Sequence, residues 1–284
     1  MPNLRDIRRR IRGVRSTQQV TRAMKIVAAA KLRRAQERML AARPYANRML
    51  QVLNSLALRA NPEEHPLLQT RGGERIELIV LTGDKGMCGA FNTNVVKRAT
   101  LFLEEHKERI VTLHTVGRKG RDHFRRRAKT ITREYVDIFK KIEYAHAARI
   151  ANEMIDRYIS KDLDSVYIIY NDFKSIMSQR LVVEQLLPIK KLESDQPMAV
   201  QDYIYEPSPR QLLDTLLPKH VEFQVLRALL ESAAAEFAAR MTAMENATRN
   251  ASEVIQSLTL TMNRVRQAAI TKEIIEVISG AQAL

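Results

Sequence analysis

From Phe223 to Leu284 the chain holds one unbroken helical pattern, with no proline and a single glycine at Gly280. Its apolar positions step by alternating fours and threes through Phe237, Met241 and Met244. They cross a polar Thr248, then continue through Ala251, Ile255, Leu258, Met262, Val265 and Ala269. That stepping is a heptad seam, the period of a coiled coil. Globular helices average about 11–12 residues, whereas at ~1.5 Å per residue this one reaches roughly 90 Å. A helix of that length needs a partner along its seam, because packing of one face supplies most helical stability.

A second long amphipathic segment runs from Asn3 to about Arg59, with apolar residues at Leu4, Ile7, Ile11 and Val14 and again at Met24, Val27, Leu32, Ala35 and Met39. Asn3 is placed to accept from the open N–H groups of the first turn. Pro44 is expected to kink or interrupt the helix, since it lacks an N–H and crowds the preceding turn. Met49, Leu50, Val52, Leu53 and Leu56 resume the pattern.

Between the two helices the pattern changes. Asn61-Pro62 and Arg71-Gly72-Gly73 break the helix, and Ile76–Thr82 reads as a buried strand ending in a glycine-rich turn. A helix over Asn94–Lys107, a strand over Ile110–Val116, a basic run, a helix near Glu143–Ile159 and strands at Val166–Tyr170 and Arg180–Leu187 follow. Strands alternating with helices predict a small α/β domain with a mainly parallel sheet. The expected organisation is a coiled-coil helix over 1–59, an α/β domain over 74–187, a proline-bracketed connection over 188–208 and a coiled-coil helix over 209–284, the two long helices pairing antiparallel.

The formal charge of +15 calls for acidic partners: nucleic acid, an anionic membrane surface or acidic protein loops. Residues 1–43 carry thirteen Lys or Arg against two acids, Asp6 and Glu37. A basic-zipper protein sets its basic region and heptads in series on one helix. Here charges and apolar stripe share the N-terminal segment, and the longest seam lies at the other end of the chain. A basic coiled-coil nucleic-acid-binding protein therefore stands as the alternative to docking on acidic protein surfaces. A second basic run, Arg118, Lys119, Arg121, Arg125, Arg126, Arg127 and Lys129, reads first as solvated surface. No apolar stretch is long enough to span a bilayer, and the start, Met1-Pro2-Asn3-Leu4, leads into a helical pattern with no targeting segment expected.

Gly83-Asp84-Lys85-Gly86-Met87-Cys88-Gly89 sits between a strand and a helix, where exposed N–H groups can hold phosphate. Its spacing fits neither G-x-G-x-x-G nor G-x-x-x-x-G-K-[ST], so a tight turn with positive φ is expected instead. Cys88 reads as a small buried side chain. The six histidines lack ligand spacing, and no carboxylate pair is isolated on an apolar face. No catalytic residues, cofactor site or metal site are expected. After Glu276 the C-terminal tip is apolar and uncharged, which asks for a covering partner.

Three blocks in order resemble the gamma subunit of the F-type ATP synthase, the central rotor shaft: Ser16–Leu32, Gly83–Asn92, and Arg240–Asn250 followed by Asn263–Glu273. The resemblance covers essentially the whole chain. It implies an α+β fold: a long antiparallel coiled coil of N- and C-terminal helices, with an inserted α/β (Rossmann-like) domain. It implies one non-catalytic copy per complex, with no cofactor of its own, turning inside a ring of alternating alpha and beta subunits and joined to an epsilon subunit and the membrane c-ring. Met24 and Lys25 would meet an acidic beta loop, and Arg266, Gln267, Thr271 and Glu273 would form a bearing or catch within the ring. Tyr203, Tyr205 and Glu206 would belong to the foot facing the c-ring and epsilon. A peripheral place on the cytoplasmic side of a bacterial inner or plasma membrane is implied too. With one cysteine, the redox-regulated pair of the plant plastid form is not expected.

Overall fold

The computed structural model describes residues 3–57, 65–127, 129–190 and 208–282. In chain order the elements are α1 (Leu4–Ala57), β1 (Arg75–Leu81), α2 (Phe91–Glu105), β2 (Ile110–Val116), α3 (Arg118–Arg125), β3 (Ile131–Tyr135), a short 3-10 turn (Ile138–Lys140), α4 (Tyr144–Ile159), β4 (Ser165–Phe173), β5 (Gln179–Leu187) and α5 (Pro209–Gln282). The fold is two long helices flanking an α/β insertion. It divides into two compact units, one of Met1–Ala29 with Arg240–Leu284 and one of Ala30–Ala239.

Pro44 and Pro218 both lie inside helices rather than ending them. One missing N–H is tolerated where the flanking turns stay anchored: Met39, Met49, Leu53 and Leu56 of α1 are buried before and after Pro44, as are Leu217 and Val221 beside Pro218. Asn3 begins α1 as expected, its Oδ1 accepting from the Arg5 N–H at 3.1 Å.

The larger unit holds a five-stranded sheet in the order β3-β2-β1-β4-β5. β1 to β4 run parallel and β5 closes one edge antiparallel. Crossover helices allow that parallel order, and the order reverses between β1 and β4. Alternate residues of each strand feed separate cores. Ile79, Leu81, Val116, Ile168 and Tyr170 pack under α4 and the 30–239 stretches of α1 and α5. Ile76, Leu78, Val80, Leu113 and Ile169 pack under α2 and α3. Burial on both faces is why these strands read as continuous apolar runs.

Two elements, α3 and β3, were not foreseen as such. α3 has eight residues and buries only Gly120 and Phe124, so its charges hide its period. β3 reads Ile-Thr-Arg-Glu-Tyr and leaves its middle exposed. As an edge strand it carries the charges that discourage pairing with another sheet: Arg125 and Arg133 bind Glu134 and Glu153, each at 2.8 Å.

Candidate functional site

In the smaller unit α1 and α5 run side by side and antiparallel. Three cross-helix polar contacts fix their alignment: Gln18 Nε2 donates to Ser252 Oγ at 2.6 Å, the Thr21 and Thr248 hydroxyls share a bond at 2.8 Å, and Lys25 Nζ meets Glu245 Oε1 at 2.8 Å. Ile7, Ile11 and Ala28 of α1 and Met244 and Ala251 of α5 supply buried apolar positions along the same seam. Sliding one helix by a heptad would set the buried Thr21 and half-buried Thr248 hydroxyls against apolar neighbours, so the polar layer fixes the register. Next to it lies a cleft of about 340 Å³ lined by Arg15, Gln18, Gln19, Ser252, Ile255 and Gln256.

The sequence period placed Val27 on the α1 seam. The structure puts Ala28 there and leaves Val27 exposed, together with Val20 and Ile26. These three aliphatic side chains, with the half-buried Met24 and Lys25 beside them, form an outward apolar patch with a cation at its margin. Lys25 is 38 % and Glu245 56 % exposed. Exposed pairs of this kind contribute about 0–1 kcal/mol, so another carboxylate can replace Glu245 at little cost. The hydrogen bond from Lys25 holds the Glu245 carboxyl below its usual range. Glu245 was not foreseen as the internal partner of Lys25, because only the folded register brings them together.

Extending that register sets Leu4 opposite Arg266, and α5 continues past it. Arg266, Gln267, Thr271 and Glu273 are all exposed. The Thr271 hydroxyl donates back to the Gln267 carbonyl at 2.9 Å. Beyond them Ile274, Ile275, Val277 and Ile278 are exposed along one face, Val277 by 71 %. An exposed aliphatic stripe on a helix end, here opposite the charged Lys272, Glu273 and Glu276, is the signature of a face that another surface covers. Tyr203, Tyr205 and Glu206 lie outside the described residues.

In the larger unit the glycine-rich segment after β1 stands at the carboxyl ends of the strands, beside the point where strand order reverses. Open α/β sheets hold their ligands there. Here that crevice contains protein: Cys88, Phe91 and Phe173 pack with Leu32, Ala35 and Met39 of α1 and Ala234, Ala235 and Ala238 of α5. The turn itself is tied by Asn92, whose Oδ1 accepts from the Gly83 N–H at 2.8 Å and whose Nδ2 donates to the Lys85 carbonyl at 3.2 Å. Positive φ occurs at Met87 and Gly89, and Cys88 is buried as expected. Of the basic run, Arg118, Arg121 and Arg125 are committed to Asp137, Asp122 and Glu134.

A family model described as ATP synthase matches residues 3–284. The chain is 53% identical over 287 residues to the ATP synthase gamma chain of Solibacter usitatus (strain Ellin6076), covering 100% of this chain and 99% of that one. It is 51% identical over 289 residues to the ATP synthase gamma chain of Anaeromyxobacter sp. (strain Fw109-5), covering both completely. Among solved structures, a chain of the Tetrahymena thermophila mitochondrial ATP synthase central stalk and c-ring superposes with a TM-score of 0.62 at 27% identity, covering 80% of this chain and 99% of that one. A chain of the Euglena gracilis mitochondrial ATP synthase shares the fold at a TM-score of 0.69 and 24% identity, covering 99% of this chain and 94% of that one.

Proposed function

The chain belongs to the ATP synthase gamma-chain family, and from that premise we propose that it is the torque-bearing central shaft of a proton-translocating ATP synthase. Its paired helices enter a ring of alternating alpha and beta subunits, and its α/β domain joins the epsilon subunit and the membrane c-ring. The chain itself carries out no chemistry. Its turning asymmetry drives the nucleotide sites of the beta subunits through their conformations in sequence. One copy serves each complex, held peripherally on the cytoplasmic side of a bacterial membrane. No helix among the described residues is long and apolar enough to cross that membrane.

The observation that carries this reading is the α5 end, which outruns its α1 partner and exposes an aliphatic stripe of Ile274, Ile275, Val277 and Ile278. Arg266, Gln267, Thr271 and Glu273 stand where the paired coil gives way to that lone helix, so they are assigned to the bearing inside the ring. The outward patch of Val20, Ile26 and Val27 beside Met24 and Lys25 is assigned to an acidic, moving loop of a beta subunit. Apolar area supplies most of the contact and Lys25 the charge match, because aliphatic burial yields about 25 cal/mol per Å² whereas an exposed ion pair yields at most about 1 kcal/mol. Tyr203, Tyr205 and Glu206 are assigned to the foot contact with epsilon and the c-ring.

Isolation of the native assembly tests the assignment. The chain is expected in stoichiometric association with an ATPase ring. Recovery outside any ring, as a homodimer, or in salt-sensitive complex with DNA contradicts it.

A further inference from the structure

Given the rotor role proposed above, the glycine-rich segment after β1 has a use that torque transmission needs. The backbone of Gly83 is held from the sheet side: its N–H donates to Asn92 Oδ1 at 2.8 Å, and its carbonyl accepts from the Lys119 N–H at 3.2 Å. Its α-carbon faces the other way, toward α5. A Cβ added there would come within 2.8 Å of Glu236 Oε1 and 2.9 Å of Glu236 Cδ. Glu236 is itself buried, 3 % exposed, and its α5 neighbours Ala234, Ala235 and Ala238 are buried against Cys88, Phe91 and Phe173. Three alanines around one carboxylate let the helix backbone approach the turn closely while Glu236 reaches the loop.

We infer that Gly83 and Glu236 form a clutch, in which the crevice that comparable sheets give to an anionic ligand receives an anionic side chain of the chain's own shaft helix. The carboxylate fills the space that a side chain at 83 would need, so a larger residue there must displace it, and twisting α5 against the sheet presses the carboxylate toward Gly83. Torque carried by α5 thereby loads the sheet through this contact, with Asn92 and the Lys119 N–H holding the loop from behind. Gly83, Glu236 and Asn92 are positioning residues for rotation.

The test uses inverted membrane vesicles carrying the assembled ATP synthase, with ATP-driven proton pumping and ATP hydrolysis each measured per assembled complex. Gly83→Ala and Glu236→Ala are each expected to lower protons pumped per ATP below the parental value. Adding Gly83→Ala to Glu236→Ala is expected to cause no further loss, because the Cβ then enters vacated space. Parental pumping per ATP in Glu236→Ala, or a double variant whose loss is the product of the two single losses, overturns the clutch. Should Gly83→Ala prevent assembly, the cycle is read as assembled complex per membrane protein; restoration by Glu236→Ala supports the shared space, and no restoration overturns it. Failure of the rotor reading looks different: the parental vesicles themselves would pump without this chain.

Discussion

Among the described residues, the buried charges lie in the larger unit and the coil of the smaller one buries none. Along the α1–α5 coil of the smaller unit Thr21 is buried, Gln18, Thr248 and Ser252 are half-buried, and Lys25 and Glu245 face water. In the sheet unit Glu77 is wholly buried on β1, accepting from the Thr112 and Thr132 hydroxyls and from Arg157 Nη1 at 2.9 Å. Exposed pairs can be exchanged for a partner's groups at little cost, whereas a buried, fully bonded charge tolerates no rearrangement. The coil is built to trade contacts as it turns and the sheet unit to hold its shape under load.

Cutting the buried pair should break the comparison most severely. Arg157→Ala leaves the Glu77 carboxylate buried without its cation, and a loss of about 3–5 kcal/mol in unfolding stability is expected from chemical denaturation of the full-length chain. A loss below about 1 kcal/mol would mean that Glu77 is not held as described.

Acidification should act on the sheet unit next most strongly. Burial lowers the pKa of His114 and of His220 from 6.5 to about 4. Both ring nitrogens of His114 lack a hydrogen-bond partner, and the ring stacks on Tyr135 with centroids 5.1 Å apart. In the unfolded chain both residues titrate near 6.5, so the unfolded state binds more protons between those values. Stability is therefore complete above about pH 6.5 and falls as pH drops toward 4, by about 3 kcal/mol per histidine. Glu231 acts in the opposite direction. Burial raises its pKa from 4.5 to about 7, so its penalty is largest above pH 7 and eases as pH falls through 7 toward 4.5. Glu231→Gln should thus steepen the acid loss and raise stability at pH 8. Denaturation midpoints recorded from pH 8 to 4 check both signs; a flat parental profile would contradict the buried neutral histidines.

The coil should respond more weakly. Thr21→Val leaves the Thr248 hydroxyl its bond to the Met244 carbonyl and removes one cross-helix bond, so about 1 kcal/mol is expected from the same denaturation measurement. Lys25→Glu places like charges beside Glu245 and should cost at most about 1 kcal/mol in folding. In the assembly it should nonetheless disturb coupling between ATP turnover and rotation, since a partner loop would meet a reversed charge. Unchanged proton pumping per ATP in that variant would remove Lys25 from the contact surface.

Much of this architecture is legible in the residues. The α5 seam, including its polar interruption at Thr248, follows from heptad stepping alone, and doubly buried strands announce themselves as apolar runs. The α1 seam was partly misphased: Ala28 is small enough to carry little hydrophobic signal, so exposed Val27 took its place in the pattern. Gln18 and Thr21 escaped notice because a polar seam residue has meaning only beside its partner 220 or more positions away. α3 and β3 were hidden by charges that protect an edge. The contact residues proposed on the coil come from the family resemblance, whereas the internal pairing of Lys25 with Glu245 exists only in the fold.

The central claim is that the lone end of α5 turns inside a catalytic ring. A cysteine introduced at Ile275 in the assembled complex, oxidised against cysteines placed along the inner surface of the beta subunit, tests it most directly. A gamma–beta disulfide that stops ATP hydrolysis, with activity restored on reduction, is the predicted result. An Ile275 cysteine that reacts freely with a bulky water-soluble maleimide in the intact complex, and never crosslinks to beta, would contradict it.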